Sequence, residues 1–190
     1  MTDRQVIDSN LDDLITAVNA DDDSAAYPVR KLDAHINNIR HAAISIFVFD
    51  GTRMLLQKRA ETKYHSAGLW ANTVCSHPRW NESFASCAGR RLEEELGWQV
   101  PVEKFGEISY QAQVGELFEN EFVHCFYGQF DESIDVRQYN RDEVCDIKWL
   151  TIPEAMRQIE LHPERYTEWF RIYMTRHRQM IDALLCDEAN

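Results

Sequence analysis

The stretch Asn72-Thr73-Val74-Cys75-Ser76-His77-Pro78 leads into a segment that ends Arg90-Arg91-Leu92-Glu93-Glu94-Glu95-Leu96-Gly97, and together they decide how the chain is read. In an extended segment side chains alternate, so Cys75 and His77 share one face while Ser76 points the other way. Pro78 then interrupts regular structure. From Ser83 to Leu96 the pattern is helical, with Phe84, Ala88, Leu92 and Leu96 four apart in an apolar stripe. Asn81, Glu82 and Ser83 are start signals, and Gly97 is a stop signal. Another face carries Cys87, Arg91 and Glu95, which makes Arg91 and Glu95 neighbours. Taken alone, this is a core helix with a surface ion pair. The thiol and imidazole ahead of it weigh toward a functional site.

Upstream, Lys58, Arg59 and Lys63 form a basic knot in a chain whose formal charge is −12. Beside a thiol/imidazole loop and a Glu-rich helix, such a knot reads as a phosphate clamp. Arginine makes planar bidentate contacts and lysine supplies point charge. Residues 42–49 make a nearly continuous apolar strand, buried on both faces. Asp50-Gly51 is a hairpin signal, and residues 54–58 return as the partner strand. His35 and His41, six apart, fit neither a helix face nor a strand face, and their spacing alone carries no metal signature. Residues 15–18 and 27–29 read as a small hairpin around a solvated turn at Asp21-Asp22-Asp23-Ser24. Residues 1–14 are expected to form an acidic extension, with a short helix starting at Ser9 to Leu14, and residues 15–190 one domain.

Downstream, residues 102–112 and 117–130 read as strands. The two-residue period puts Glu119 and Glu121 on one face of the second, where by pattern alone they are edge charges. His124, on the opposite face, reads as structural. A strand over 143–150 and a helix over 152–159 with proline in its first turn follow. The spacing then predicts one long amphipathic helix over 165–185, whose Trp169, Phe170 and Tyr173 read as core.

Composition excludes several classes. No apolar run approaches a membrane span, and Met1-Thr2-Asp3-Arg4 lacks a signal peptide's basic and apolar regions. The five cysteines, at 75, 87, 125, 145 and 186, form no Cys-x-x-Cys pair. That argues against a disulfide framework or zinc ribbon and for a reducing, cytoplasmic setting. The acidic charge disfavours nucleic acid and anionic membranes as partners.

Ala67-Gly68-Leu69-Trp70-Ala71-Asn72-Thr73-Val74-Cys75-Ser76-His77-Pro78 resembles the active-site segment of the type 1 isopentenyl-diphosphate isomerases, members of the Nudix superfamily. The helix is similar to a degenerate Nudix box, Gly-x5-Glu-x7-Arg-Glu-U-x-Glu-Glu-x-Gly-U with U apolar. Glu82, Arg90, Leu92, Glu94, Glu95, Gly97 and Trp98 fall on that grid. Ser76 stands at its first glycine and Arg91 at its first catalytic glutamate. Ala67 stands where many relatives have proline, and some relatives have one more residue between the first two histidines. The resemblance spans roughly residues 29 to 177. It implies an α+β fold, an α/β/α sandwich in which helices flank a mixed β-sheet.

The resemblance also implies a site, residue by residue. His35, His41, His77, Glu119 and Glu121 match a His3Glu2 centre, whose nitrogen and oxygen donors suit Mn2+ or Mg2+, with Zn2+ an alternative. Glu95 matches the carboxylate that helps hold Mg2+ brought in by a diphosphate. Lys31, Arg59, Lys63 and Arg91 match the residues that grip that diphosphate. Cys75 and Glu121 match an acid and a base, Trp169 an aromatic face for a carbocation, and Tyr110 a hydrogen-bonding support. The implied reaction is a 1,3-allylic proton shift converting isopentenyl diphosphate to dimethylallyl diphosphate. The implied partner is a small-molecule diphosphate, with either a monomer or a homodimer as the assembly.

Two other classes share parts of this pattern. A Nudix hydrolase would gather Mg2+ on the box helix, but Arg91 puts positive charge where that cluster needs negative. A non-catalytic Nudix-fold binding module would need no Cys75, His77 and Glu-x-Glu together with a basic clamp.

Overall fold

The computed structural model describes residues 13–186. Strands β1 (Leu14–Val18) and β2 (Ala25–Arg30) form an antiparallel hairpin, followed by helix α1 (Lys31–Ile36). Then come β3 (His41–Asp50), β4 (Arg53–Arg59), the short β5 (Trp70–Ala71) and β6 (Val74–Ser76), and helix α2 (Phe84–Leu96). The long β7 (Glu103–Val114) and β8 (Leu117–Gln129) precede β9 (Val144–Thr151) and three helices, α3 (Ile152–Leu161), α4 (Glu168–Arg176) and α5 (Arg178–Cys186).

β3 is the axis of the sheet, and its side chains alternate between two cores. Ile44, Ile46 and Val48 pack in one cluster with Ala88, Leu92 and Leu96 of α2. Ala43, Phe47 and Phe49 pack in the other with Ala155, Phe170 and Tyr173 of α3 and α4. Both faces are therefore covered, as the unbroken apolar run requires. The sheet is mixed: β3 runs parallel to β8 from His41↔Glu121 to Phe49↔Gln129, whereas β7 with β8 and β4 with β9 are antiparallel. This is the expected α+β sandwich.

The β3–β4 hairpin is shorter than its turn signal implies. The strands pair only at Phe49↔Met54 and Asp50↔Arg53, after which that edge of β4 passes to β5, while β9 pairs with the other edge from Arg53 to Arg59. β6 takes the vacated edge of β3 at residues 44–46. Thr73 spans the gap, its hydroxyl accepting from Val48 N–H at 2.8 Å and donating to Leu55 O at 2.7 Å. A turn signal is local and carries no information about which strand takes the edge farther along.

Two expectations change at the chain's ends. Residues 9–12 lie outside the described residues, and Leu14 opens β1 rather than closing a helix. The helix expected over 165–185 is two helices. Tyr166 bridges to Trp70, and Thr167 N–H donates to Trp70 O at 2.9 Å. Those residues are thus extended, and Thr167 caps α4. The second break falls at His177 (φ −118°, ψ 11°), inside the polar run Thr175 to Gln179, where no apolar side chain holds the turn against the core.

Two glycines of α2 test this packing. Gly97 ends the helix at φ 72°, and a Cβ there would meet Gln138 O at 2.7 Å, whereas a Cβ at Gly89 meets nothing within 4 Å. Gly97→Ala should cost about 1–3 kcal/mol. Gly89→Ala should gain about 0.5–1 kcal/mol from helix propensity. Urea midpoints measure both, and shifts of the same sign would contradict the packing described.

Candidate active site

Strand register assembles the site. The parallel β3–β8 pairing sets Glu121 beside His41, and β7–β8 sets Tyr110 beside Glu121 and Ala112 beside Glu119. The antiparallel β3–β6 pairing sets Cys75 beside Ser45. α1 contributes Lys31 and His35, and a tight turn through Asn38 (φ 52°) returns the chain to β3. His35 and His41 are both fully buried, with ring centroids 4.8 Å apart. Their six-residue spacing, unreadable as either a helix or a strand, is a helix-to-strand passage.

The imidazoles are oriented by backbone carbonyls. His35 Nδ1 lies 2.9 Å from Phe118 O, and His41 Nδ1 lies 2.7 Å from Ile39 O. Only an N–H can satisfy a carbonyl, so each ring carries a hydrogen on Nδ1, which leaves Nε2 as the atom facing the site. Both Nε2 atoms are buried without a hydrogen-bond partner. Ligand atoms of His35, His41, His77 and Glu119 lie within 4.8 Å of one another. Glu121 adjoins this group. Its Oε1 is 2.9 Å from His77 Nε2 and 3.6 Å from His41 Nε2, and its Oε2 accepts from the Tyr110 hydroxyl at 2.6 Å.

Burial pushes His35 down to about 2 and His77 down to about 4, so both are neutral at neutral pH. Burial, then the charge of Glu121, pushes Glu119 well above the usual carboxylate range. Burial acts against the ionised form of Glu121 too, yet the imidazoles of His41 and His77 hold it well below that range. Buried ring nitrogens without hydrogen-bond partners beside two carboxylates fit a divalent cation, which would satisfy all of them at once.

Cys75 faces the same cleft, a space of about 510 Å3 also lined by Glu121, Tyr110 and Trp169. Its thiol donates to Asn72 Oδ1 at 3.0 Å and lies 3.3 Å from Ser45 Oγ, which in turn accepts from Asn72 Nδ2 at 2.9 Å. Burial pushes the thiol up to about 12, so it holds its proton at neutral pH. Trp169 is buried, with the Arg59 guanidinium 5.3 Å from its ring and His65 edge-on at 5.8 Å.

Lys31, Arg59, Lys63 and Arg91 line the cleft together with Glu95. Lys58, the remaining member of the basic knot, is outside that lining and pairs with Glu61 at 3.6 Å. The Arg91–Glu95 pair is buried, at 5% and 4% exposure, rather than at the surface as the helix alone implies. Arg91 donates to Glu95 at 2.7 and 3.1 Å, to Glu94 at 2.6 Å and to Glu143 at 3.3 Å. Gln57 also donates to Glu95, at 2.7 Å. His124 stacks on Phe84 at 3.5 Å, outside the cleft lining.

Several residues of the site escaped the sequence reading. Tyr64 and His65 line the cleft directly after Lys63, and His65 Nε2 lies 3.5 Å from Glu119 Oε1. Their position between the basic knot and the Cys75 segment was the available signal. Ser45, Asn72 and Glu143 act through hydrogen bonds and ion pairs across the fold, which no local pattern encodes.

Comparison with known proteins bears on the fold and the family. The chain matches the NUDIX domain family over residues 39–171. It is 45% identical over 161 residues to the isopentenyl-diphosphate Delta-isomerase of Cereibacter sphaeroides (strain ATCC 17025 / ATH 2.4.3), covering 84% of this chain and 90% of that protein. The protein of the same name from Dinoroseobacter shibae is 46% identical over 162 residues, covering 84% and 91%. Among solved structures, DR0079 from Deinococcus radiodurans shares the fold at a TM-score of 0.64 and 14% identity, covering 77% of this chain and 88% of that one. A MutT protein from Methanosarcina mazei Go1 does so at 0.58 and 17%, covering 74% and 94%. With a Nudix sheet, a box helix and a thiol, carboxylate and imidazole set in one cleft, the chain belongs to the NUDIX family and, within it, to the isopentenyl-diphosphate Delta-isomerases.

Proposed function

We propose that the protein interconverts isopentenyl diphosphate and dimethylallyl diphosphate by protonating one end of the alkene and deprotonating the other. One observation carries the reading: the Cys75 thiol and the Glu121 carboxylate open onto one cleft with a basic rim. An unactivated alkene is a very weak base, so a cationic route needs a positioned acid, a positioned base and water excluded. Cys75 gives its proton to the terminal CH2 carbon, leaving a tertiary cation at the adjacent carbon and a thiolate. Glu121 removes a proton from the methylene that lies between the cationic carbon and the carbon bearing the diphosphate oxygen, and that C–H electron pair becomes the new double bond.

The surroundings serve each half of the exchange. The Ser45 hydroxyl can donate to the Cys75 sulfur when its proton leaves, since Ser45 Oγ already accepts from Asn72. The carboxylate charge that disfavours a thiolate also favours the cation. Trp169 offers its ring to that cation, worth on the order of 1–2 kcal/mol when desolvated. Tyr110 donates to Glu121 Oε2 and fixes the orientation of the carboxylate. Lys31, Arg59, Lys63 and Arg91 hold the diphosphate, with Glu95 beside the Mg2+ that accompanies it.

His35, His41, His77, Glu119 and Glu121 would hold a divalent ion, Mn2+, Mg2+ or Zn2+ by donor type. When bound, that ion supplies positive charge that sets the proton affinity of Glu121. A hydrolase reading finds less support, because the Arg91 guanidinium already engages Glu94, Glu95 and Glu143, acids a hydrolytic metal cluster would need. Free thiols at Cys75, Cys87, Cys125 and Cys145 support a cytoplasmic setting. Among the described residues no helix is long and apolar enough to cross a membrane.

Two outcomes follow for purified protein. It should contain about one divalent ion per chain by elemental analysis, and His41→Asn and His77→Asn should each lower both occupancy and melting temperature. Full occupancy in both variants would remove the proposed centre. Given isopentenyl diphosphate and Mg2+, the wild type should make dimethylallyl diphosphate without releasing phosphate. Cys75→Ala and Glu121→Gln should lose at least about a hundredfold in kcat while staying folded. Cys87→Ala and Cys125→Ala should lose stability and keep turnover. Near-normal turnover by Cys75→Ala would assign the acid elsewhere.

A further inference from the structure

Glu143 lies just before β9 and is 8% exposed. Its backbone ties together the two walls of the phosphate clamp. The Glu143 carbonyl accepts from Ala60 N–H at 2.9 Å, at the start of the loop that carries Lys63. Three residues earlier, Asn140 N–H donates to Glu95 O at 2.9 Å, and Asn140 Nδ2 donates to Glu94 O at 3.2 Å. These carbonyls belong to the last turn of α2, which has no helical partner for them. The Glu143 carboxylate then reaches both walls, forming an ion pair with Lys63 and lying 3.3 Å from Arg91 Nη2. Burial acts against its ionised form, but Arg91 and then Lys63 hold it below its ordinary range.

The knot so formed sets Lys63 and Arg91 against Glu94, Glu95 and Glu143, with Arg90 shared between Glu94 and Glu82, so three cations face four carboxylates. The knot itself therefore adds no positive surplus to what Lys31 and Arg59 offer a bare diphosphate. An anion entering alone would strip the cations from buried carboxylates and leave those acids uncompensated, a costly exchange. A diphosphate that brings its own divalent cation makes the exchange balanced, with lysine and arginine turning to phosphate oxygens and the freed carboxylates facing the metal. We propose that Glu143 is a positioning residue that, beside Glu95, makes the site selective for the metal-bound form of its diphosphate ligand. The inference rests on the reading that this cleft holds a diphosphate, and it assigns a role to a residue that reading does not use.

Calorimetric titration of inorganic pyrophosphate into the metal-loaded protein, with and without added Mg2+, tests it without turnover. The wild type should bind pyrophosphate at least about tenfold more tightly with Mg2+, within the usual range of coupling between two ligands. In Glu143→Gln that ratio should collapse to about twofold, mainly because metal-free binding tightens as one like charge is removed. Glu143→Asp keeps the charge and should keep most of the preference, which separates electrostatics from a packing defect. An undiminished Mg2+ preference in Glu143→Gln overturns the assignment, as does a wild type indifferent to Mg2+. Absence of pyrophosphate binding under both conditions would instead remove the diphosphate reading, and this inference with it.

Discussion

The early divergence of β3 and β4 is the constraint on which the rest depends. A strand buried on both faces must satisfy its backbone along both edges. β3 does so with β8 on one side and, on the other, with β1, β6 and the first residues of β4 in turn. Because β4 leaves after two pairs, β6 can lie against β3 and carry Cys75 to a position beside Ser45. Thr73 holds that opening with one hydroxyl that both accepts and donates. A longer hairpin would close the space in which the thiol stands.

The same strand pairings sort charge states within a few ångströms. Glu121 keeps its charge because two imidazoles and a phenol face it, while Glu119, on the same strand face, is pushed toward its neutral form. Cys75, in contact with amide and hydroxyl groups, keeps its proton. Two titratable groups driven in opposite directions within one cleft are what the proposed acid and base pair requires at a common pH. On the other wall, Arg91 does the reverse of what its position in a hydrolytic box calls for, gathering acids around a fixed guanidinium instead of a metal.

Much of this was legible in the sequence. The run from Ala42 to Phe49 announced a central strand, and the Ser83 cap and Gly97 stop bounded α2 to within a residue. The two-residue period placed Glu119 and Glu121 on one face, and alternation placed Cys75 and His77 toward one cleft, although Ser76, expected to point away, lines that cleft too. What stayed hidden is what depends on partners distant in the chain. The hairpin signal at Asp50-Gly51 could not show where β3 and β4 part. Periodicity over 165–185 could not show that Tyr166 and Thr167 bond to Trp70. The Arg91–Glu95 spacing specified a pair without its depth, because burial comes from Gln57 and Glu143 on other elements. Glu143 itself looked like any other acid at the start of a strand.

The central claim is that two separate protein groups carry the proton on and off, one of them a thiol that exchanges with solvent. Isotope incorporation at initial rate tests this most directly, using isopentenyl diphosphate in deuterated water and mass spectrometric and NMR analysis of the product. The account predicts dimethylallyl diphosphate labelled with deuterium in the newly formed methyl group, because the hydrogen delivered comes from the exchanged Cys75 thiol. Unlabelled product formed at the full rate would mean that the substrate's own hydrogen migrates from carbon to carbon, and would contradict the assignment of Cys75 and Glu121 as acid and base.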